Sequence, residues 1–325
     1  MTTKPKLLFL CGGRRVDLLE RFRRASAPYG GATLLTTDTE PRAATTFVAD
    51  ATFIVPPCGS AAFVEAVIEI CKQEKVAAVL PLTCVAVADL PAIRSQVNAR
   101  ILSGNDEAVQ ICADKLATTR YLQRIGVPTP AVVANPTPCD LPLFFRLRHS
   151  EGSRGAFVVD RPSLLTVARE YEDGVLTRFT SGREATVDIY RDFSGRVVCT
   201  VPRARQRVRG GEVERATTLC DDALLRVTAA AIEGLTFVGP ATLQAIHNHE
   251  GWQVVEINLR YAGGVTLSME AGMDSPSWLV GELCGAMPPS QPAIVWGLGM
   301  SRCDREFYYQ AETRFQEVLR QELRG

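Results

Sequence analysis

Over the first hundred residues, short apolar runs alternate with longer segments whose apolar positions recur every three or four residues. The runs at 6–11, 32–37, 52–55 and 76–80 predict strands, the last stopped by Pro81, and 100–102 predicts one more. The segments 16–25 and 60–74 predict helices; in the second, Phe63, Val67, Ile70 and Cys71 share one face. Strands alternating with helices imply a parallel sheet covered on both sides. Beyond it, 105–125 predicts one or two helices, ended by Gly126-Val127-Pro128-Thr129-Pro130, and the proline-rich stretch 135–142 predicts a loop.

The pattern then changes. Runs at 143–147, 156–159, 176–179, 184–191 and 197–201 predict strands, the last three antiparallel. Between the first two lies His149-Ser150-Glu151-Gly152-Ser153-Arg154-Gly155, a turn whose backbone N–H groups can close over phosphate. A helix is expected at 222–233, and Gly263-Gly264 opens a helical stretch through Gly272. A short strand after Pro288-Pro289 and a charged helix at 312–323 complete the reading.

One hairpin carries chemistry. Residues 241–247 predict a strand, and Val254-Val255-Glu256-Ile257-Asn258-Leu259-Arg260 predicts its partner. Side chains two apart on a strand share a face, so Glu256, Asn258 and Arg260 point the same way. With a turn at His249-Glu250-Gly251, Asn248 pairs with Trp252, and counting back sets Gln244 opposite Glu256. Three oxygen donors, only one of them charged, suit Mg²⁺ that keeps water and phosphate oxygens in its shell. The guanidinium beside them suits phosphate.

Composition narrows the function classes. The chain has 325 residues and a formal net charge of zero, which argues against nucleic acid or an anionic membrane as the main partner. No apolar run approaches the roughly 20 residues of a membrane span, and the apolar stretch 7–11 is too short for a signal peptide, so a cytoplasmic location is the default. Ten cysteines without a Cys-x-x-Cys pair are expected as reduced thiols. Lys115 is the last lysine in an arginine-biased chain, which suggests a position that needs a compact point charge. Gly12-Gly13-Arg14-Arg15 follows the first strand but lacks the Gly-x-Gly-x-x-Gly pattern of a dinucleotide site; its arginines either hold a carboxylate or phosphate or decorate a tight turn. The densest basic stretch, 203–212, is expected as a loop that orders over anionic ligands.

The order of these pieces resembles the ATP-grasp superfamily, and within it single-module relatives of the carbamoyl-phosphate synthetase large subunit. The resemblance implies an α/β (α+β) chain. A parallel-sheet pre-ATP-grasp domain at 1–112 is followed by a small lid subdomain at 113–180, a large subdomain with the metal site at 181–290, and a terminal strand and helix at 291–325. It implies that Lys115 and Arg146 bind ATP phosphates and that Gly152, Ser153 and Gly155 form the lid. Arg178 and Phe179 fall at the adenine hinge, and Glu184 on the ribose. Gln244, Glu256 and Asn258 match the Mg²⁺ ligands (Mn²⁺ being the alternative ion), and Arg260, Arg203 and Arg209 the cations of the catalytic region. Arg146 stands in place of lysine, Arg178 in place of the usual hinge glutamate, and Leu259 in place of proline. The activity implied is ligation of a small-molecule carboxylate to an amine through an acyl phosphate, with a homodimer as the default assembly. The alternatives are carboxyphosphate or carbamoyl phosphate formation, and an ATP-binding partner protein without turnover.

Overall fold

The computed structural model describes residues 4–152 and 154–310. Its first unit is a five-stranded parallel sheet of β1 (Lys6–Leu10), β2 (Thr33–Asp38), β3 (Ala51–Ile54), β4 (Ala78–Pro81) and β5 (Arg100–Ile101), in the order β3-β2-β1-β4-β5. Leu7, Leu8, Phe9 and Leu10 are all buried, as a central strand covered on both faces requires. The covering helices are α1 (Val16–Ser26), α2 (Ala61–Glu74) and α3 (Cys84–Arg94). Ser60 caps α2 by accepting from the backbone N–H of Phe63, so the helix starts one residue later than its apolar pattern predicts. Helix α3 fills an interval that the sequence pattern leaves unassigned. Pro91 lies inside it, and Thr83 caps its start. The strand order reverses beside β1, so the loops after β1 and β4 flank a crevice, the usual ligand position in such sheets.

Helices α4 (Asp106–Ala113) and α5 (Lys115–Arg124) lead out of this unit. They are two helices rather than one because Asp114 leaves the helical region (φ −114°, ψ 116°) and caps α5 through the N–H of Leu116. A three-stranded antiparallel sheet follows, with β6 (Leu143–Leu147) between β7 (Phe157–Val159) and β8 (Gly174–Arg178), packed by α6 (Pro162–Arg169). The third sheet has six antiparallel strands in the order β13-β12-β9-β10-β11-β14. They are β9 (Arg183–Arg191), β10 (Val197–Arg209), β11 (Glu212–Thr218), β12 (Gly239–Asn248), β13 (Gly251–Asn258) and β14 (Gly299–Ser301). Helices α7 (Asp222–Glu233), α8 (Val265–Glu270) and α9 (Ser275–Leu283) complete the unit. Two apolar clusters weld the first and third units: one joins Leu8 and Val79 to Val187 and Ile257, the other Phe9 and Phe22 to Tyr190 and Tyr261.

Two expectations need correction. The stretch 203–212 is not a loop: β10 runs on to Arg209 and turns at Gly210 and Gly211 (φ 57° and 79°) into β11. Its arginines are ordered by neighbouring carboxylates, Arg207 by Glu214 at 2.7 Å and Arg209 by Asp304 at 3.1 Å. The β12–β13 hairpin also turns one residue tighter than counted, pairing Asn248 with Gly251 and His247 with Trp252. A bulge at Val255 restores the count, so Gln244 still faces Glu256. The helix expected at 312–323 lies outside the described residues.

Candidate active site

Two chambers meet at the β12–β13 hairpin. The first, of about 310 Å³, lies between the three-stranded and six-stranded sheets. Its cations come from rigid positions. Lys115 opens α5, whose capping residue Asp114 is itself clamped by Arg148. The Lys115 ammonium donates to the carbonyl of Ser150 and stands 3.7 Å from Glu256 Oε1. Arg146, on β6, is buried; its Nη1 donates to the carbonyl of Val255 at 2.9 Å, while its Nε has no partner. Burial pulls the Arg146 pKa down, and the Glu256 carboxylate opposes that shift. Arg205 spans the floor, donating to Gln244 Oε1 at 3.1 Å and standing 3.4 Å from Glu184 Oε2. Phe179 and Glu184 line the same chamber. Arg178 lines it too, but its guanidinium turns outward to Asp140 at 2.9 Å.

Gln244, Glu256 and Asn258 project from paired strands at the junction. Asn258 Oδ1 accepts from the Cys84 thiol at 2.8 Å, and two Arg260 nitrogens lie 3.3 and 3.2 Å from the same sulfur. Burial pushes the Cys84 thiol up to about 11, against the charge of Arg260, so it stays neutral near pH 7. No three His, Cys, Asp or Glu side chains among the described residues form a metal cluster. One carboxylate with two amide oxygens instead suits a hard cation whose remaining ligands are phosphate oxygens and water.

The second chamber, of about 360 Å³, opens on the far side of Gln244 and Glu256. Its walls are the Gly12–Arg15 loop, the start of α3, the β10–β11 turn and the Gly263-Gly264 backbone. The glycines of that first loop allow close packing: a Cβ on Gly12 would fall 2.3 Å from Thr36 Oγ1, and Gly13 has φ 54°. Gly13 N–H donates to Asp38 at 2.8 Å, which fixes the loop over the sheet. Arg15 reaches this chamber without a hydrogen-bond or ion-pair partner among the described residues, and burial followed by the charge of Arg260 lowers its pKa to about 10.

Most of the expected site residues line one or other chamber. Lys115, Arg146, Arg178, Phe179 and Glu184 line the first, Arg203 and Arg260 the second, and Gly152, Gln244 and Glu256 both. Asn258 sits beside them through Cys84, and Gly155 is on the lid turn with φ 69°. Ser153 lies outside the described residues. Arg203 is not a mobile cation: it is 1% exposed and grips Asp188 with two nitrogens at 2.6 and 3.1 Å. Arg209 lines neither chamber and pairs with Asp304. A bulge at Gln206 in β10 changes the strand's parity, so Val208 rather than Arg207 or Arg209 faces the first chamber. Cys84 and Glu151 were missed by sequence reasoning. Glu151 accepts from the Cys84 backbone N–H at 2.8 Å, tying the lid turn to the start of α3. Thr83, a helix-capping residue type, was the available signal.

The geometry agrees with what the sequence matches. Residues 170–303 match the family described as ATP-grasp in the biosynthetic pathway with Ter operon, and residues 7–100 match the PylC-like N-terminal domain. The chain carries an ATP-grasp domain behind a PylC-like N-terminal domain. No curated protein matches the sequence. Among solved structures, the chain is similar to N5-carboxyaminoimidazole synthetase from Staphylococcus aureus complexed with ADP, at TM-score 0.74 and 14% identity, covering 90% of this chain and 81% of that one. It is similar to L-amino acid ligase from Bacillus licheniformis at TM-score 0.69 and 16% identity, covering 87% and 75%. It is also similar to the biotin carboxylase–β,γ-ATP complex from Campylobacter jejuni at TM-score 0.70 and 17% identity, covering 90% and 74%. At these identities the likeness establishes the ATP-grasp fold. No helix among the described residues is long and apolar enough to cross a membrane.

Proposed function

We propose that this protein is an ATP- and Mg²⁺-dependent ligase that joins a small-molecule carboxylate, an amino acid or similar compound, to an amine. The observation that carries this reading is the Gln244–Glu256 pair, set across one hairpin between a chamber with two phosphate-suited cations and a chamber lined by Arg260. ATP would lie in the first chamber, its adenine against the backbone at Arg178-Phe179, its ribose at Glu184 and its phosphates at Lys115 and Arg146. Backbone N–H groups of the turn at Gly152 and Gly155 would cover them. Gln244, Glu256 and Asn258 would hold Mg²⁺, which neutralises phosphate oxygens when bound. The amino acid ligase among the similar structures supports the reaction class.

In the first half-reaction an acceptor carboxylate oxygen attacks the terminal phosphorus. The new P–O bond replaces the one to ADP, which departs. Arg260, fixed by Cys84 and the Tyr261 carbonyl, offers its charge to the transferred group. The amine nitrogen then attacks the acyl carbon, phosphate leaves, and the surplus proton passes to phosphate or solvent. The lid held at Glu151 keeps water from the acyl phosphate. The chain supplies no side-chain nucleophile in this scheme; Cys84, the thiol at the centre, is neutral and already engaged. ADP and phosphate release across a panel of acids and amines, with bicarbonate as one arm, tests the reading. Tight ATP binding without release for any acid would sink it, and release with bicarbonate alone would move it to carboxyphosphate formation.

A further inference from the structure

The second chamber holds more positive charge than its own acids satisfy. Of the acids that line it, Glu212 is paired with Arg302 at 2.7 Å, Glu151 is held at the start of α3, and Glu256 stands 3.7 Å from Lys115. Asp188 is consumed by Arg203 and by the Ser268 hydroxyl at 2.5 Å. Arg15 and Arg260 are left without a carboxylate within ion-pair distance among the described residues. A third cation is half-satisfied: Arg203 Nη1 is buried and has no hydrogen-bond partner.

Two consecutive glycines make room for these groups. A Cβ on Gly263 would fall 2.9 Å from Arg15 Nη1, and one on Gly264 would fall 2.7 Å from Arg203 Nη1. Any other residue pair would push both guanidinium groups back. A buried N–H with no acceptor and an unpaired guanidinium, on two residues that line one chamber with Gln244 and Glu256, mark the place of an anion the protein does not supply. Arg260 faces the transferred phosphoryl group in the proposed reaction, so the anion at Arg15 and Arg203 is a second one.

We propose that the acceptor is a small dicarboxylic acid, with one carboxylate at Arg260 for phosphorylation and the other held by Arg15 and the free edge of Arg203 across Gly263-Gly264. This rests on the ligase reading of the same site. The chain is neutral overall, yet arginines outnumber carboxylates among the residues that line this chamber.

The test is calorimetric binding of succinate, glutarate, aspartate and glutamate to the protein loaded with ADP and Mg²⁺, beside the half-amide of each. Losing one charge-assisted contact of about 1.5–3 kcal/mol corresponds to roughly ten- to a hundredfold. At least one diacid is expected to bind that much more tightly than its half-amide, and Arg15→Ala to bring the ratio close to one. Arg15→Lys should restore part of it. Equal binding of every diacid and half-amide, no binding of any diacid, or a diacid preference that survives Arg15→Ala would overturn the proposal. Arg15 makes no side-chain hydrogen bond, so an unchanged melting temperature shows that the variant is folded. Diacid-selective binding without ADP release from ATP would uphold the carboxylate site at Arg15 and Arg203 but fail the ligase reading and, with it, the acceptor role of the diacid; release with monoacids alone would uphold the ligase reading and overturn the diacid site.

Discussion

The two chambers differ in how their charges are settled. In the first chamber nearly every cation has an internal partner: Lys115 has Ser150 and Glu256, Arg146 has the Val255 carbonyl, and Arg205 has Gln244 and Glu184. In the second chamber the Arg15 side chain stands alone and Arg203 keeps one nitrogen free. The first arrangement holds its side chains in place before any ligand arrives, so its preorganisation does not depend on the ligand. The second leaves charge for a ligand to complete. In the proposed reaction, preorganisation would serve phosphoryl transfer, and incomplete charge would serve selection between acceptors.

The sharpest way to break this contrast is at Asp188. It is 1% exposed and answers for two nitrogens of Arg203, so Asp188→Ala leaves a buried guanidinium without a counter-ion. The expected loss is about 3–5 kcal/mol of unfolding free energy in urea. A loss below about 1 kcal/mol would mean that Arg203 finds another anion and is not fixed.

Next comes Glu256, the one carboxylate of the proposed metal set. Glu256→Ala should lower Mg²⁺-dependent ADP release by at least about a hundredfold, a loss of the size seen when one charge-stabilising group is removed. Turnover within a few fold of the parent would remove Glu256 from the reaction.

Gly264→Ala touches only the acceptor side. Its Cβ would fall 2.4 Å from Val213 Cγ1 as well as against Arg203. Overpacking of about 1–3 kcal/mol is expected, with weaker acceptor binding and unchanged ATP affinity. Equal losses for both ligands would show that the chambers are not separable.

The smallest effect is expected at Asp304, on the segment after β14. Its carboxyl is held below the usual range by the hydrogen bond and charge of Arg209, then by Arg14. A carboxylate lowered in the folded state adds stability above its unfolded pKa, and the increment fades as pH falls through the folded value. Because both partners are exposed, the increment is small. Asp304→Asn should lower the melting temperature slightly near neutrality and not at all near pH 2. A difference that persists in acid would assign Asp304 a role other than charge.

Much of this arrangement was legible in the chain. Apolar runs separated by amphipathic segments announced the parallel sheet, because strands buried on both faces cannot afford polar positions. The alternation Glu256, Asn258, Arg260 set three groups on one face, because side chains on a strand alternate with period two. Helix α3 was hidden by Pro91 within it, and with it the thiol of Cys84 that touches both Asn258 and Arg260. Sequence spacing treats the arginines of β10 as equivalent. Only the bulges and the neighbouring acids distinguish Arg205 at Gln244, Arg203 in the core and Arg209 outside both chambers.

The sequence by itself determined the elements, the order of the motifs and the donor types available for phosphate and metal, because these depend on local periodicity and residue chemistry. The tertiary structure alone decided which charges are spent and which remain free. Pairing a guanidinium with a carboxylate depends on residues as far apart as Arg302 and Glu212 or Lys115 and Glu256, and only folding brings them within reach.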